Sequence, residues 1–234
     1  MTQKPVLGIV CGMQSEFATL GRLAIDPRLR VTVSGARPDL AEDGAEWLIE
    51  EGCRYLLSWG VAGGLDPASS PGALIAATHV TTEAGATQAL TPAPYDATDT
   101  GAAATGPLLG LDRVALTAPE KQALHAATGA LAVDMETHRV AKVAQAHGLP
   151  VSAVRVISDA AARSLPPFVA DALSITGHPR IGPVLMGLLK SPGALPDLLR
   201  LKRDTSRALG RLAGLVEAGL LERFIEAADR DGSD

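Results

Sequence analysis

The stretch AVDMETHRVAKVAQAHGLPVSAVRVISDAA, residues 132–161, constrains the fold more than any other part of the chain. An apolar run ends in Asp-Met-Glu, and a helical pattern follows over 136–147 with alanine and valine on one side. Gly148-Leu149-Pro150 stops that helix, and a second apolar run over 151–157 leads into Ser-Asp. The unit reads as strand end (131–133), helix and central strand. Both strands end in acids. In open α/β sheets the carboxyl ends of strands are where loops and helix N-termini converge to form ligand crevices.

The same alternation runs upstream. Strands are predicted over 5–11, 30–34, 55–58 and 73–80, and helices over 15–23 and 40–51. Residues 83–110 are rich in Gly, Ala, Thr and Pro without periodicity and read as loops and short strands. After Asp159, prolines at 166, 167, 179, 183, 192 and 196 punctuate short apolar pieces. A leucine- and arginine-rich helical segment is expected over about 183–226, with one long helix over 198–225 carrying Arg200, Lys202, Arg203, Arg207 and Arg211. The pattern is that of an α/β sheet with helices on its faces, and 234 residues suit one such domain over 1–234.

Composition removes several classes of function. A net charge of -5 and 3% aromatic residues offer nucleic acid neither a basic field nor stacking platforms. No apolar run approaches the roughly 20 residues of a membrane span. Cys11 and Cys53 both lie in apolar, strand-like stretches, which suits buried reduced thiols and a cytoplasmic setting. The N-terminal MTQKPVLGIVCGM runs directly into a polar helical pattern, unlike a cleaved signal.

Three acids occupy predicted strand-to-helix junctions: Glu16, Glu136 and Asp159. Each alone is open to a second reading as a helix cap, with Asp134 equally able to cap the helix that Glu136 begins. The glycines of SWGVAGGLDP are also open to a reading as a tight turn needing positive φ, and they lack the spacing of a GxGxxG or P-loop fingerprint. His125, His138, His147 and His178 show no ligand-like spacing, so no metal and no cofactor is expected. Trp59 is expected to fill the core beside the glycines.

Taken in order, GIVCGMQSE, SWGVAGGL, AVDMET and RVISDAA resemble the signatures of the purine nucleoside phosphorylase and nucleosidase superfamily. The likeness to methylthioadenosine/S-adenosylhomocysteine nucleosidases lies in their Gly-Ala-Met-x-x-Glu, Gly-x-Ala-Gly-Gly, Glu-Met-Glu and Ile-Ser-Asp motifs, and it covers residues 6–162. It implies a three-layer α-β-α fold with a mixed central sheet, and an enzyme that breaks the N-glycosidic bond of a purine nucleoside.

That reaction needs a proton for the departing base, support for an oxocarbenium-like sugar, and a nucleophile on the opposite side. By resemblance, Asp159 supplies the proton to purine N7, held protonated by burial, with Ser158 orienting it. Glu136 accepts hydrogen bonds from the ribose 2′- and 3′-hydroxyls and its negative charge favours the cationic sugar, while Met135 packs on the ring. Glu16 orients and deprotonates water, and Ala62 and Gly63 let backbone approach the ligand. Phosphorylases of the hexameric type carry an arginine and a serine around the glycines, where this chain has Ser58 and Val61. That favours water over phosphate, with Arg28, Arg30 and Arg37 left as residues that would have to reach the site for phosphorolysis.

The chain also departs from the small nucleosidases: Asp134 replaces the first Glu of their motif, Val61 replaces a small hydroxyl residue, and the tail is long. DMETH paired with RVISDAAARSLPP and a Leu/Arg/Pro-rich C-terminus is similar to the hopanoid-associated phosphorylase subfamily. This likeness implies adenosylhopane as substrate, adenine as product, a hydrophobic 5′ group, and contact with the periphery of the inner membrane; the leucines and basic residues of the tail suit an anionic lipid surface. The competing reading of 198–225 is a helix with its leucine face on the core. Relatives complete their sites at subunit contacts, so a homo-oligomer is implied. The alternatives are phosphorolysis, methylthioadenosine/S-adenosylhomocysteine cleavage, and a non-catalytic nucleotide-binding module at a membrane surface.

Overall fold

A computed structural model of the chain describes residues 5–94, 104–172, 174 and 176–231. Its centre is an eight-stranded mixed sheet. Strands β1 (Leu7–Cys11), β2 (Leu29–Val33), β3 (Tyr55–Gly64) and β4 (Leu74–Thr82) come first, then β5 (Thr87–Ala89), β6 (Ala104–Gly110), β7 (Ala132–Asp134) and β8 (Val151–Asp159). They run in the order β2-β1-β3-β7-β6-β4-β5, with β8 pairing both β3 and β4. Residues 95–103, within the stretch expected to hold loops and short strands, lie outside the described residues.

Strands β1, β3 and β8 are parallel neighbours, so Cys11, Gly64 and Asp159 end at one edge of the sheet. β7 runs antiparallel to β3, with Gly63 opposite Val133. Continuing that register returns Met135 and Glu136 alongside Val61 and Gly60. The adjoining loops thus bring four segments far apart in sequence to one place.

Helices cover both faces. α1 (Gln14–Phe17) passes into a 3-10 segment, Ala18–Ile25, in place of the single helix expected over 15–23, because Gly21 breaks the helical path at φ 55°, ψ -129°. α2 (Pro38–Glu50), α3 (Ala118–Thr128) and α4 (Thr137–Ala146) follow. The C-terminal part contributes α5 (Phe168–Asp171), α6 (Ile181–Lys190), α7 (Leu195–Glu217) and α8 (Leu220–Asp231). One core layer packs β1, β3 and β8 against α7 and α8 through Tyr55, Trp59, Leu212 and Phe224. The other packs the sheet against α2 and α4 through Ala41, Leu48, Val140 and Ala144.

Two expectations are corrected here. The predicted long helix over 198–225 is two helices, because Gly219 takes φ 84° between α7 and α8. From Ala208 onward its apolar face lies on the core, with Leu212, Leu215 and Leu221 buried, while Leu199 in its first turn is exposed. The glycines after Ser58 do not form a tight turn: β3 continues through Gly64, and none of Gly60, Gly63 and Gly64 has positive φ. They are small for another reason. A Cβ on Gly60 would collide with the Glu16 carboxylate, and one on Gly64 would come within 3.0 Å of the Asp159 carbonyl oxygen.

Candidate active site

All seven residues singled out from the sequence, Glu16, Ala62, Gly63, Met135, Glu136, Ser158 and Asp159, line one cavity of about 230 Å³ at the carboxyl edge of β1, β3, β7 and β8. The acids are buried: Glu16 is 4% exposed, Glu136 7% and Asp159 4%.

Glu16 is fixed by two amides. Its Oε2 accepts from the Met13 N–H at 2.8 Å, so it caps α1, and its Oε1 accepts from the Val61 N–H on β3 at 2.8 Å. The cap reading is therefore true of Glu16, and the same carboxylate still faces the cavity. Burial pushes its pKa up, while the Arg155 guanidinium and the Val61, Met13 and Gly12 amides pull it back. Gly12 leaves room for both carboxylates: a Cβ there would sit 2.8 Å from Glu136 Oε1 and 3.2 Å from Glu16 Oε2.

Glu136 holds the N-cap position of α4 but caps nothing with its side chain. Asp134 takes that task, its Oδ1 accepting from the Thr137 N–H at 3.1 Å, which releases Glu136 to the cavity. Burial, then the Asp134 carboxylate, pushes Glu136 to about 8, against the pull of Arg155. The pocket thus opposes the negative charge that the sequence reading placed on Glu136.

Ser158 and Asp159 owe their placement to a β-bulge. The register steps from Ala62 opposite Ile157 to Gly63 opposite Asp159, leaving Ser158 as the extra residue. Successive strand residues normally point to opposite faces, and a bulge re-aims them, so both side chains reach the same cavity. The Ser158 hydroxyl donates to Asp159 Oδ1 at 2.8 Å and lies 3.1 Å from the Ala62 carbonyl oxygen.

Three cations at the site were missed by the sequence reading; one, Arg113, lines the cavity and is paired with Glu83 and Glu120. Lys121, fully buried on α3, donates to Asp159 Oδ2 and, at 3.1 Å, to the Arg163 carbonyl oxygen. Burial alone was expected to govern Asp159; a buried ammonium stands beside it instead. Lys121 shares the inward stripe of α3 with Leu124 and His125, which is the signal that would have found it. Arg155, 1% exposed in mid-β8, forms an ion pair with Asp134, donates to Ser58 at 2.6 Å and Thr137 at 3.0 Å, and lies 3.8 Å from Glu136. Its signal was an arginine inside a strand of buried apolar residues, tolerated only with partners.

Other sequence candidates fall elsewhere. Trp59 is in the core, donating to Thr19 at 2.9 Å. His138 sits under Gly110 with Nε2 2.9 Å from Asp112, outside the cavity lining. Arg28 pairs with Asp26, Arg30 with Glu51 and Arg37 with Asp39, and none of the three lines the cavity. Among the described residues no group of three or more His, Cys, Asp and Glu side chains is placed to hold a metal ion. The cavity's outer wall comes from the segments after β8: Leu165, Val169 on α5, and Leu201 and Thr205 on α7.

The family model described as "Phosphorylase superfamily" matches residues 30–173. No curated protein sequence matches the chain. Among solved structures, the 5′-methylthioadenosine/S-adenosylhomocysteine nucleosidase of Neisseria meningitidis, in complex with methylthio-immucillin-A, is 16% identical. It superposes with a TM-score of 0.70 over 94% of this chain and 99% of that one. The corresponding nucleosidase of Helicobacter pylori is 18% identical, with a TM-score of 0.65 over 92% and 99%. The futalosine hydrolase of the same organism is 18% identical, with a TM-score of 0.62 over 80% and 98%. These likenesses place the fold, a mixed sheet between helical layers, among nucleosidase-like structures.

Proposed function

Because the chain belongs to the phosphorylase superfamily, we propose that its cavity hydrolyses the N-glycosidic bond of a 5′-substituted adenosine and releases adenine. The observation that carries this reading is the convergence of Glu16, Glu136 and Asp159, from β1, β7 and β8, around one pocket. The structural neighbours named for nucleosidase and hydrolase activity support it. Helix caps alone have no need to meet.

Each acid has a task. The Lys121–Asp159 pair offers a proton to purine N7, so that the C1′–N9 electron pair leaves with a neutral base. Ser158 holds the carboxyl in place. Glu136, with Met135 beside it, receives the ribose hydroxyls, and the buried charge of Arg155 lies below it at 3.8 Å. Glu16, its pKa raised by burial, takes the proton of the water whose oxygen attacks C1′. Water is favoured over phosphate because the Glu16 carboxylate faces the cavity and the nearby guanidiniums are occupied. Arg155 is held by Asp134, Ser58 and Thr137, and Arg113 by Glu83 and Glu120.

The 5′ substituent is read as hydrophobic, with adenosylhopane the leading substrate, because Leu165, Val169 and Leu201 form the outer wall of the cavity. We also infer a homo-oligomer, by likeness to relatives whose sites are completed at subunit contacts. The test is adenine release from adenosine derivatives with polar and greasy C5′ groups, with and without phosphate. Release that is independent of phosphate and faster for the greasy group is expected. An absolute need for phosphate overturns hydrolysis, and preference for a short thioether overturns the substrate.

A further inference from the structure

Helix α6 is turned inside out. Ile181, Leu185 and Leu189, at i, i+4 and i+8, form one stripe, and they are 71, 57 and 79% exposed, with Met186 beside them at 53%. The opposite side of the helix faces the protein: a Cβ on Gly187 would collide with the Phe168 ring of α5. Leu195 and Leu199 extend the bare surface onto the first turns of α7. Of the large exposed hydrophobic side chains among the described residues, only Ile25 and Trp47 lie elsewhere.

Charge says what covers this face. Residues 180–204 contain Arg180, Lys190, Arg200, Lys202 and Arg203 against Asp197 and Asp204, which pair with Arg200 and Arg203, a net +3 in a chain whose total is -5. The segment that carries the largest exposed apolar stripe among the described residues is thus locally basic in an acidic chain. An apolar stripe bordered by lysine and arginine is the chemistry of a helix lying in the headgroup region of an anionic bilayer. A second copy docked by this face about a two-fold axis would set the same basic border against itself, which a lipid surface of opposite charge does not.

We propose that the outward face of α6 and the start of α7 dock this protein on an anionic phospholipid surface. This stands on the surface alone, whatever the cavity cleaves. The docked face adjoins the cavity: α6 joins α5, which supplies Val169 to the wall, to α7, which supplies Leu201 and Thr205. On the nucleoside reading above, a greasy substrate would then pass between bilayer and pocket without crossing bulk water.

The experiment is flotation of the full chain with vesicles of phosphatidylcholine containing about 30% phosphatidylglycerol, and with pure phosphatidylcholine. Binding to the anionic vesicles that weakens with salt is expected. The double variant Leu185→Glu/Leu189→Glu should lower vesicle affinity by roughly a hundredfold, about tenfold for each leucine withdrawn from lipid. Its melting temperature and its adenine release from a water-soluble adenosine derivative should be unchanged, since neither side chain touches the core or the cavity. Three results overturn the proposal: no binding to anionic vesicles, equal binding by the variant, or a variant whose only change is a lost dimer in sedimentation. Absence of adenine release from the unaltered chain would count against the proposed function and leave the docking result standing.

Discussion

Replacing Glu136 with Gln should make the protein more stable in mild alkali while it destroys the site. The carboxyl is buried, beside Asp134, and holds its proton up to about 8 rather than the ordinary 4.5. A group that binds its proton more tightly folded than unfolded contributes stability below its ordinary value, and that stability is lost as pH rises towards about 8. At 1.36 kcal/mol per unit the interval is worth about 5 kcal/mol, a ceiling that relaxation and entering water reduce to about 2–3 kcal/mol. Glutamine has the same shape and never ionises. Between about pH 5 and about pH 9 the wild-type melting temperature should therefore fall more than that of Glu136→Gln, by about 4–8 °C for a chain of this size. Differential scanning calorimetry across that range reads the difference directly, and the titrating groups away from the site cancel between the two proteins. Parallel curves would refute the claim that burial and Asp134 raise this acid. The same variant should lose adenine release by about a hundredfold or more, the exchange of stability for function expected of strained sites.

Two further substitutions test the buried cations. Lys121→Met leaves Asp159 buried without its partner and should cost about 3–5 kcal/mol in urea denaturation, with part of the loss recovered by adding Asp159→Asn; a cost under about 1 kcal/mol would mean the pair holds nothing together. Arg155→Met removes the charge that serves Asp134 and opposes the rise of Glu136, so it should cost a similar amount at pH 7 and steepen the alkaline loss of stability; an unchanged pH profile would contradict that electrostatic role.

The acids were legible because their position was a matter of chain pattern. An apolar run followed by an acid and then a helix puts that acid at the carboxyl edge of a strand, and parallel pairing of β1, β3 and β8 gathers those edges. What governs the acids was less legible, since it comes from elements whose own signals are weak. Lys121 lies in α3, whose Thr117 cap and left-handed Gly129 mark it plainly, yet a lysine on a helix is ordinarily a solvated one. The glycines after Ser58 were misread because sequence shows that Cβ is missing and not why; here the reason is the Glu16 carboxylate packed against a continuous strand. The leucine-rich tail was open to a membrane or a core reading, and packing divides it: α8 and the later turns of α7 bury their leucines, while α6 and the first turns of α7 expose them. Periodicity gives a stripe but not the side from which it is covered.

The most direct measurement is adenine release by the Asp159→Asn variant beside the unaltered protein, with ligand binding followed by calorimetry. A drop of at least about a hundredfold in turnover with binding retained is what a proton donor to the departing base requires. A variant that liberates adenine at the original rate would mean that the three acids meet for some purpose other than cleaving the bond.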